Sequence, residues 1–150
     1  MTSASRNSNA RNLGFAGFVT LVLLSACSCG SATKDVAAAK QAVGEFHSQL
    51  DAGDYSALYQ AADPKLRTIT TATDFTKLLA AIHHKLGTVR NADMRTYAAA
   101  WYAGQGTTVT LTYNTTFSGG SGTEQFIWHI SDGRAMLYGY RIYSADLIEK

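Results

Sequence analysis

Residues 107–118, TTVTLTYNTTFS, alternate without a break. Val109, Leu111, Tyr113, Thr115 and Phe117 fall on one parity, and Thr108, Thr110, Thr112, Asn114 and Thr116 on the other. A period of two, with bulky groups on one side and small polar groups on the other, is an antiparallel strand with one buried face and one wet face. The flanks repeat the pattern. Upstream, Gly104-Gln-Gly106 is a turn, and Ala92–Ala103 sets Tyr97, Ala99 and Trp101 on one parity. Downstream, Gly119-Gly-Ser-Gly122 turns the chain into Thr123–Ser131, and Asp132-Gly133 is a hairpin signal. Arg134–Ser144 follows, with Met136, Tyr138, Tyr140 and Ile142 expected on one face, and its internal Gly139 predicts a bulge or sharp bend.

Before the strands the period is that of a helix. In Asp35–Leu50, Val36, Ala39, Val43, Phe46 and Leu50 recur at spacings of three and four and draw one apolar stripe. Gly53 stops that helix and Asp54 caps a short second one over Tyr55–Ala62. Asp63-Pro64, at the only proline, is a further helix start. Asp74–Leu86 places Phe75, Leu78, Leu79, Ile82 and Leu86 on one side and ends at Gly87. Helices followed by a four-strand meander predict an α+β domain, with N-terminal helices packed on one face of a curved antiparallel sheet.

The first 26 residues read differently from the rest. Met1–Asn12 is polar with Arg6 and Arg11 and no acid, and the 14 residues Leu13–Ala26 are apolar and uncharged. This is a basic region followed by a short apolar one, the layout of an export signal. A bilayer-spanning helix needs about 20 apolar residues, so an uncleaved anchor is the weaker reading. Lys and Arg number 13 against 11 acids, but Arg6 and Arg11 supply the whole excess. The remainder is neutral and gives no electrostatic reason to bind nucleic acid.

Leu24, Ser25, Ala26 and Cys27 resemble the lipobox of bacterial lipoproteins. The resemblance implies cleavage between Ala26 and Cys27, acylation of Cys27, and a lipid bilayer as the first partner. Two or more acyl chains hold a protein stably where one does so only marginally. In that class a non-acidic neighbour such as Ser28 accompanies passage to the outer membrane, on its periplasmic face; in a Gram-positive organism the same text means the outer face of the single membrane. Residues 27–34 then form a lipidated tether, and Ser28–Lys34 drawn out fully reaches about 25 Å. Cys29, the other thiol, is too close to Cys27 for an ordinary disulfide and is expected to be unpaired. The order of elements, the Asp51-Ala-Gly-Asp-Tyr55 stretch before a short helix and the glycine in the last strand are similar to the cone-shaped nuclear transport factor 2-like (cystatin-like) domain. More narrowly, the chain resembles small bacterial lipoproteins that carry such a domain with no assigned function. The likeness spans about Asp35 to Ile148, and residues 35–150 are read as that one domain.

Relatives of that fold include isomerases, dehydratases and hydrolases, as well as modules that only bind. Chemistry inside a cone needs titratable groups facing an apolar pocket. Most acids here fall at caps and turns, while Asp93 and Glu124 stand near strand starts, within reach of a cone mouth. No isomerase or dehydratase motif transfers to these residues, so no catalytic residue is assigned. His47, His83, His84 and His129 lack metal-ligand spacing and are expected at the surface or rim; no metal and no cofactor is expected. Tyr97, Trp101, Tyr113, Phe117, Trp128, Tyr138 and Tyr140 either pack the core or line a pocket for a small apolar ligand. The expectation is a non-catalytic binding or scaffolding module that contacts another envelope protein or itself. The alternative is a ligand-holding cone, with or without isomerase- or hydrolase-type chemistry. An interior filled by side chains favours the first, and an open pocket with an inward carboxylate the second.

Overall fold

The alternating stretch at residues 107–117 forms an interior strand of the sheet. β2 (Gly106–Phe117) buries Thr107, Val109, Leu111, Tyr113, Thr115 and Phe117 and leaves the intervening residues at least partly exposed. It pairs antiparallel with β1 (Val89–Tyr102) on one side and β3 (Ser121–Ser131) on the other, and β4 (Arg134–Tyr143) completes the order β1-β2-β3-β4. The structure is a computed structural model that describes Met1 and residues 29–149. The export-like segment, Ala26 and Cys27 lie outside the described residues. Among the described residues no helix is long and apolar enough to cross a membrane.

Four helices precede the sheet: α1 (Cys29–Ala52), α2 (Tyr55–Ala61), α3 (Pro64–Ile69) and α4 (Ala72–Leu86). A short α5 (Asp146–Glu149), not expected from the sequence, follows β4. The result is the expected α+β fold, helices followed by a curved four-stranded antiparallel sheet. α1 buries Ala39, Ala42, Val43, Phe46 and Leu50, and α4 buries Phe75, Leu79, Ile82 and Leu86. These meet Val109, Leu111, Phe126, Trp128 and Leu137 from the sheet in one core. Each large side chain so buried contributes about 1.5–3 kcal/mol. Leu78, expected in the α4 stripe, is exposed, because it sits about 100° around the helix from Leu79.

Two side-chain bonds fix α1 along the sheet. Near its start, Asp35 Oδ2 accepts from the Thr107 hydroxyl at the first residues of β2. At its end, the Asp51 carboxylate accepts from Val89 N, where β1 begins and β2 ends. α1 therefore runs in the direction of β2, and its N-terminus projects from the same end of the molecule as the β1–β2 hairpin.

Two sequence expectations change. The stretch up to Lys34, read as an extended tether, is helical from Cys29 onward. No proline interrupts it, and a helix already nucleated by the packed Ala39–Leu50 segment extends one bond per residue. In β4, Ile127 pairs with Gly139 but Trp128 with Leu137, so Tyr138 is an extra bulged residue, beside the predicted Gly139. The bulge reverses parity: Leu137 is buried and Tyr138 exposed, so Met136, Tyr138, Tyr140 and Ile142 do not share a face. Two further irregularities, both in β1, leave Arg90 unpaired between Val89 and Asn91 and Arg95 unpaired between Met94 and Thr96.

Candidate functional site

Glu124 shares the parity of Phe126, Trp128 and Ile130, and β3 carries it into the interior, where it is fully buried. Its Oε1 accepts from the Tyr140 hydroxyl at 2.7 Å. Its Oε2 accepts from the Thr115 hydroxyl at 2.5 Å and from His47 Nε2 at 2.8 Å. A carboxylate can only accept, so Nε2 is the protonated nitrogen of His47. The rings of Phe46, Phe126 and Tyr140 close over the group, with centroids 5.1 Å apart for Phe46–Phe126 and 4.9 Å for Phe46–Tyr140. Burial, and then the neighbouring Glu124 charge and bond, hold the Tyr140 phenol well above its usual range. Burial also pushes up Tyr113. Both tyrosines remain protonated at physiological pH, and Tyr140 donates to Glu124. Removing a carboxylate from water is costly, and here three donors offset that cost.

His47 is thus a buried core residue rather than a rim one, and Glu124 lies in the interior rather than at a cone mouth. Both positions had a signal: Glu124 has the parity of its apolar neighbours, and His47 follows Val43 by four residues on the buried stripe of α1. Asp93 is exposed and accepts from Asn91 Nδ2.

A second histidine–carboxylate pair stands at the surface. His129 Nδ1 donates to Asp63 Oδ2 at 2.6 Å, and His129 Nε2 donates to the Gln105 carbonyl at 2.5 Å. Two acceptors on the two ring nitrogens require two N–H groups, which is the imidazolium form. The Asp63 bond first, and the Gln105 carbonyl second, raise the His129 pKa above its ordinary value against the opposing effect of burial. Asp63 is buried, and its Oδ1 caps α3 by accepting from Lys65 N at 2.7 Å. Around this pair lies a cavity of about 330 Å³ lined by Asp63, Lys65, Tyr102, Thr108, His129 and Tyr138. Through Lys65, Gln105 and His129 it continues into a shallower one of about 730 Å³ that includes Trp101 and Asp35. The Lys65 ammonium stands 5.9 Å from the centre of the Tyr138 ring. The groove therefore sets the Lys65 ammonium near the face of Tyr138, with the Asp63-paired His129 in its wall.

The seven aromatics named from the sequence are not gathered into one pocket. Tyr113, Phe117 and Trp128 are core residues, and Tyr140 packs on Phe46 and Phe126. Tyr97 and Trp101 are exposed on β1, and Tyr138 stands on its bulge at the groove. Trp128 Nε1 is buried with no hydrogen-bond partner among the described residues, and the ring lines a cavity of about 80 Å³. His83 Nδ1 is bonded to the Tyr55 hydroxyl at 2.8 Å, and His84 is exposed. Among the described residues no group of three or more His, Cys, Asp and Glu side chains is placed to hold a metal ion. A family described as protein of unknown function (DUF4019) matches residues 42–140, a span that holds both histidine–carboxylate pairs. No curated protein matches the chain.

Proposed function

The chain belongs to the DUF4019 family of unknown function, and from that premise we propose that it is a lipid-anchored envelope protein whose domain is a non-catalytic binding module. In this reading the precursor is cleaved after Ala26, Cys27 is acylated, and the domain is held at the periplasmic face of the outer membrane. Its fold is of the nuclear transport factor 2-like kind, and its partner is another envelope protein or a second copy, met at the groove around His129. The basic and apolar regions before Leu24-Ser-Ala-Cys27 support the anchor. One observation carries the non-catalytic part: both oxygens of the inward carboxylate, Glu124, are committed to protein donors beneath packed rings. Three of its roughly four acceptor positions are taken and the Phe46, Phe126 and Tyr140 rings pack over the buried group, so a substrate proton has no open approach to it.

A second reading rests on the same cluster. A carboxylate, an imidazole and a phenol in an apolar interior are the groups an isomerase- or hydrolase-type site would use. It requires Phe46 or Tyr140 to move aside and admit a substrate. The anchor is tested by intact mass of the natural protein. The expected product begins at Cys27 and carries diacylglycerol and an N-terminal acyl group. An unmodified mass, or a different start, contradicts it.

A further inference from the structure

Thr96 to Gly106, the far half of β1 and its turn, contains no charged residue, yet it is the most exposed aromatic stretch of the sheet. Tyr97 is 60 %, Trp101 72 % and Tyr102 54 % exposed. Tyr97 and Trp101 pair with Leu111 and Thr107 and so stand on the core-side face, beyond the cover of the helices. Tyr102 pairs with Gly106 and stands on the opposite face. An uncharged ribbon with large amphipathic rings on both faces needs an environment that is apolar at depth and wet at its edge.

Its place in the fold says which one. Trp101 is opposite Thr107, and Thr107 is bonded to Asp35 of α1. From Asp35, α1 runs back six residues to Cys29, about 9 Å of helix at 1.5 Å per residue. In the sequence only Ser28 separates Cys29 from Cys27. The replacement of an extended tether by helix shortens the reach of the anchor and leaves the hairpin beside it. We infer that the β1–β2 hairpin is a lipid-contact element, with Trp101 and Tyr102 seated in the headgroup region of the bilayer that holds Cys27, so that a protein partner meets the groove from its Asp63, Lys65 and Tyr138 side. This rests on the acylated-cysteine reading. Tryptophan and tyrosine concentrate at that depth in membrane proteins because their rings are apolar and their N–H and O–H groups bond to water and headgroups. β1 is also an edge strand, and a second copy is the competing occupant. A face-to-face contact between copies buries one parity only and leaves either Trp101 or Tyr102 in water, whereas end-on seating in a bilayer covers both.

The test uses the acylated full-length product, purified from membranes and reconstituted into phosphatidylethanolamine–phosphatidylglycerol vesicles doped with phosphatidylcholine brominated high on its acyl chains. The chain has two tryptophans, and Trp128 is buried. Trp101→Phe, at an exposed site, isolates the contribution of Trp101 to the emission. The expected result is that the protein floats with the vesicles and that bromolipid quenches the Trp101 component several-fold, leaving the Trp101→Phe protein unquenched. A floating protein whose Trp101 is open to aqueous iodide and untouched by bromolipid overturns the hairpin contact while the anchor stands. Shielding from both quenchers together with a dimer mass overturns it in favour of a second copy. Failure of the wild-type chain to float removes the anchor and the inference together.

Discussion

Two histidine–carboxylate pairs of nearly equal length sit in one small domain and do opposite things. His47–Glu124 spans 2.8 Å with side-chain exposures of 9 % and 0 %, and His129–Asp63 spans 2.6 Å with 27 % and 5 %. The first is enclosed by rings, and every oxygen of its carboxylate is taken up from within the fold. The second faces a groove, with its imidazolium between a carboxylate and a backbone carbonyl at the solvent boundary. The same two groups hold the core together in one place and form the wall of a groove in the other. Enclosure, rather than residue type, separates them.

The largest effect that probes this contrast is in the core. Glu124→Ala leaves the Thr115 hydroxyl, the Tyr140 hydroxyl and His47 Nε2 buried without their acceptor. Breaking a buried pair in this way costs about 3–5 kcal/mol, read from urea unfolding. A loss below about 0.5 kcal/mol, the range of ordinary surface changes, would mean that water reaches the cluster and that the core is not sealed.

A smaller loss is expected at the groove. Asp63→Ala removes the α3 cap, worth about 1 kcal/mol, together with the partner of His129. Equal losses from Glu124→Ala and Asp63→Ala would erase the distinction between the two pairs.

The smallest effect is in pH dependence. The folded pKa of His129 is raised above its ordinary value, so its contribution to stability is fully present below the unfolded pKa of about 6.5 and is lost as pH rises through the folded value. The difference in unfolding free energy between wild type and Asp63→Asn should therefore shrink on going from acidic to mildly alkaline pH. A difference that grows over that window would mean that His129 is neutral in the fold. Histidine titration by NMR gives the same sign independently: Asp63→Asn should lower the His129 midpoint.

Much of this architecture was legible in the chain. The alternation at Thr107–Ser118 placed the buried face of β2 residue by residue, and the stripes at Val43–Phe46–Leu50 and Phe75–Leu79–Ile82 placed α1 and α4. Glu124 is in step with Phe126 and Trp128, a signal for the interior that its position near a strand start outweighed in the expectation of a cone mouth. Its partners were not legible, because His47 is 77 residues away and Asp63 is 66 residues from His129. Only tertiary folding joins groups so separated, and neither separation follows from any local period. The bulge at Tyr138 escaped for a related reason. Gly139 marked the irregularity, but one inserted residue reverses which side chains face inward, and its position depends on pairing with Ile127 and Trp128. The helical start at Cys29 was hidden by a small polar composition that suits a tether and a helix terminus equally well.

A site-placed photo-crosslinker tests the binding reading most directly. A benzophenone amino acid at Tyr138, in the groove, is compared with one at Lys77, exposed on α4, in the protein produced in its native cells. One discrete adduct is expected from position 138, to another protein or a second copy, and none from position 77. No adduct at 138, or the same adducts from both positions, contradicts a binding site at the groove.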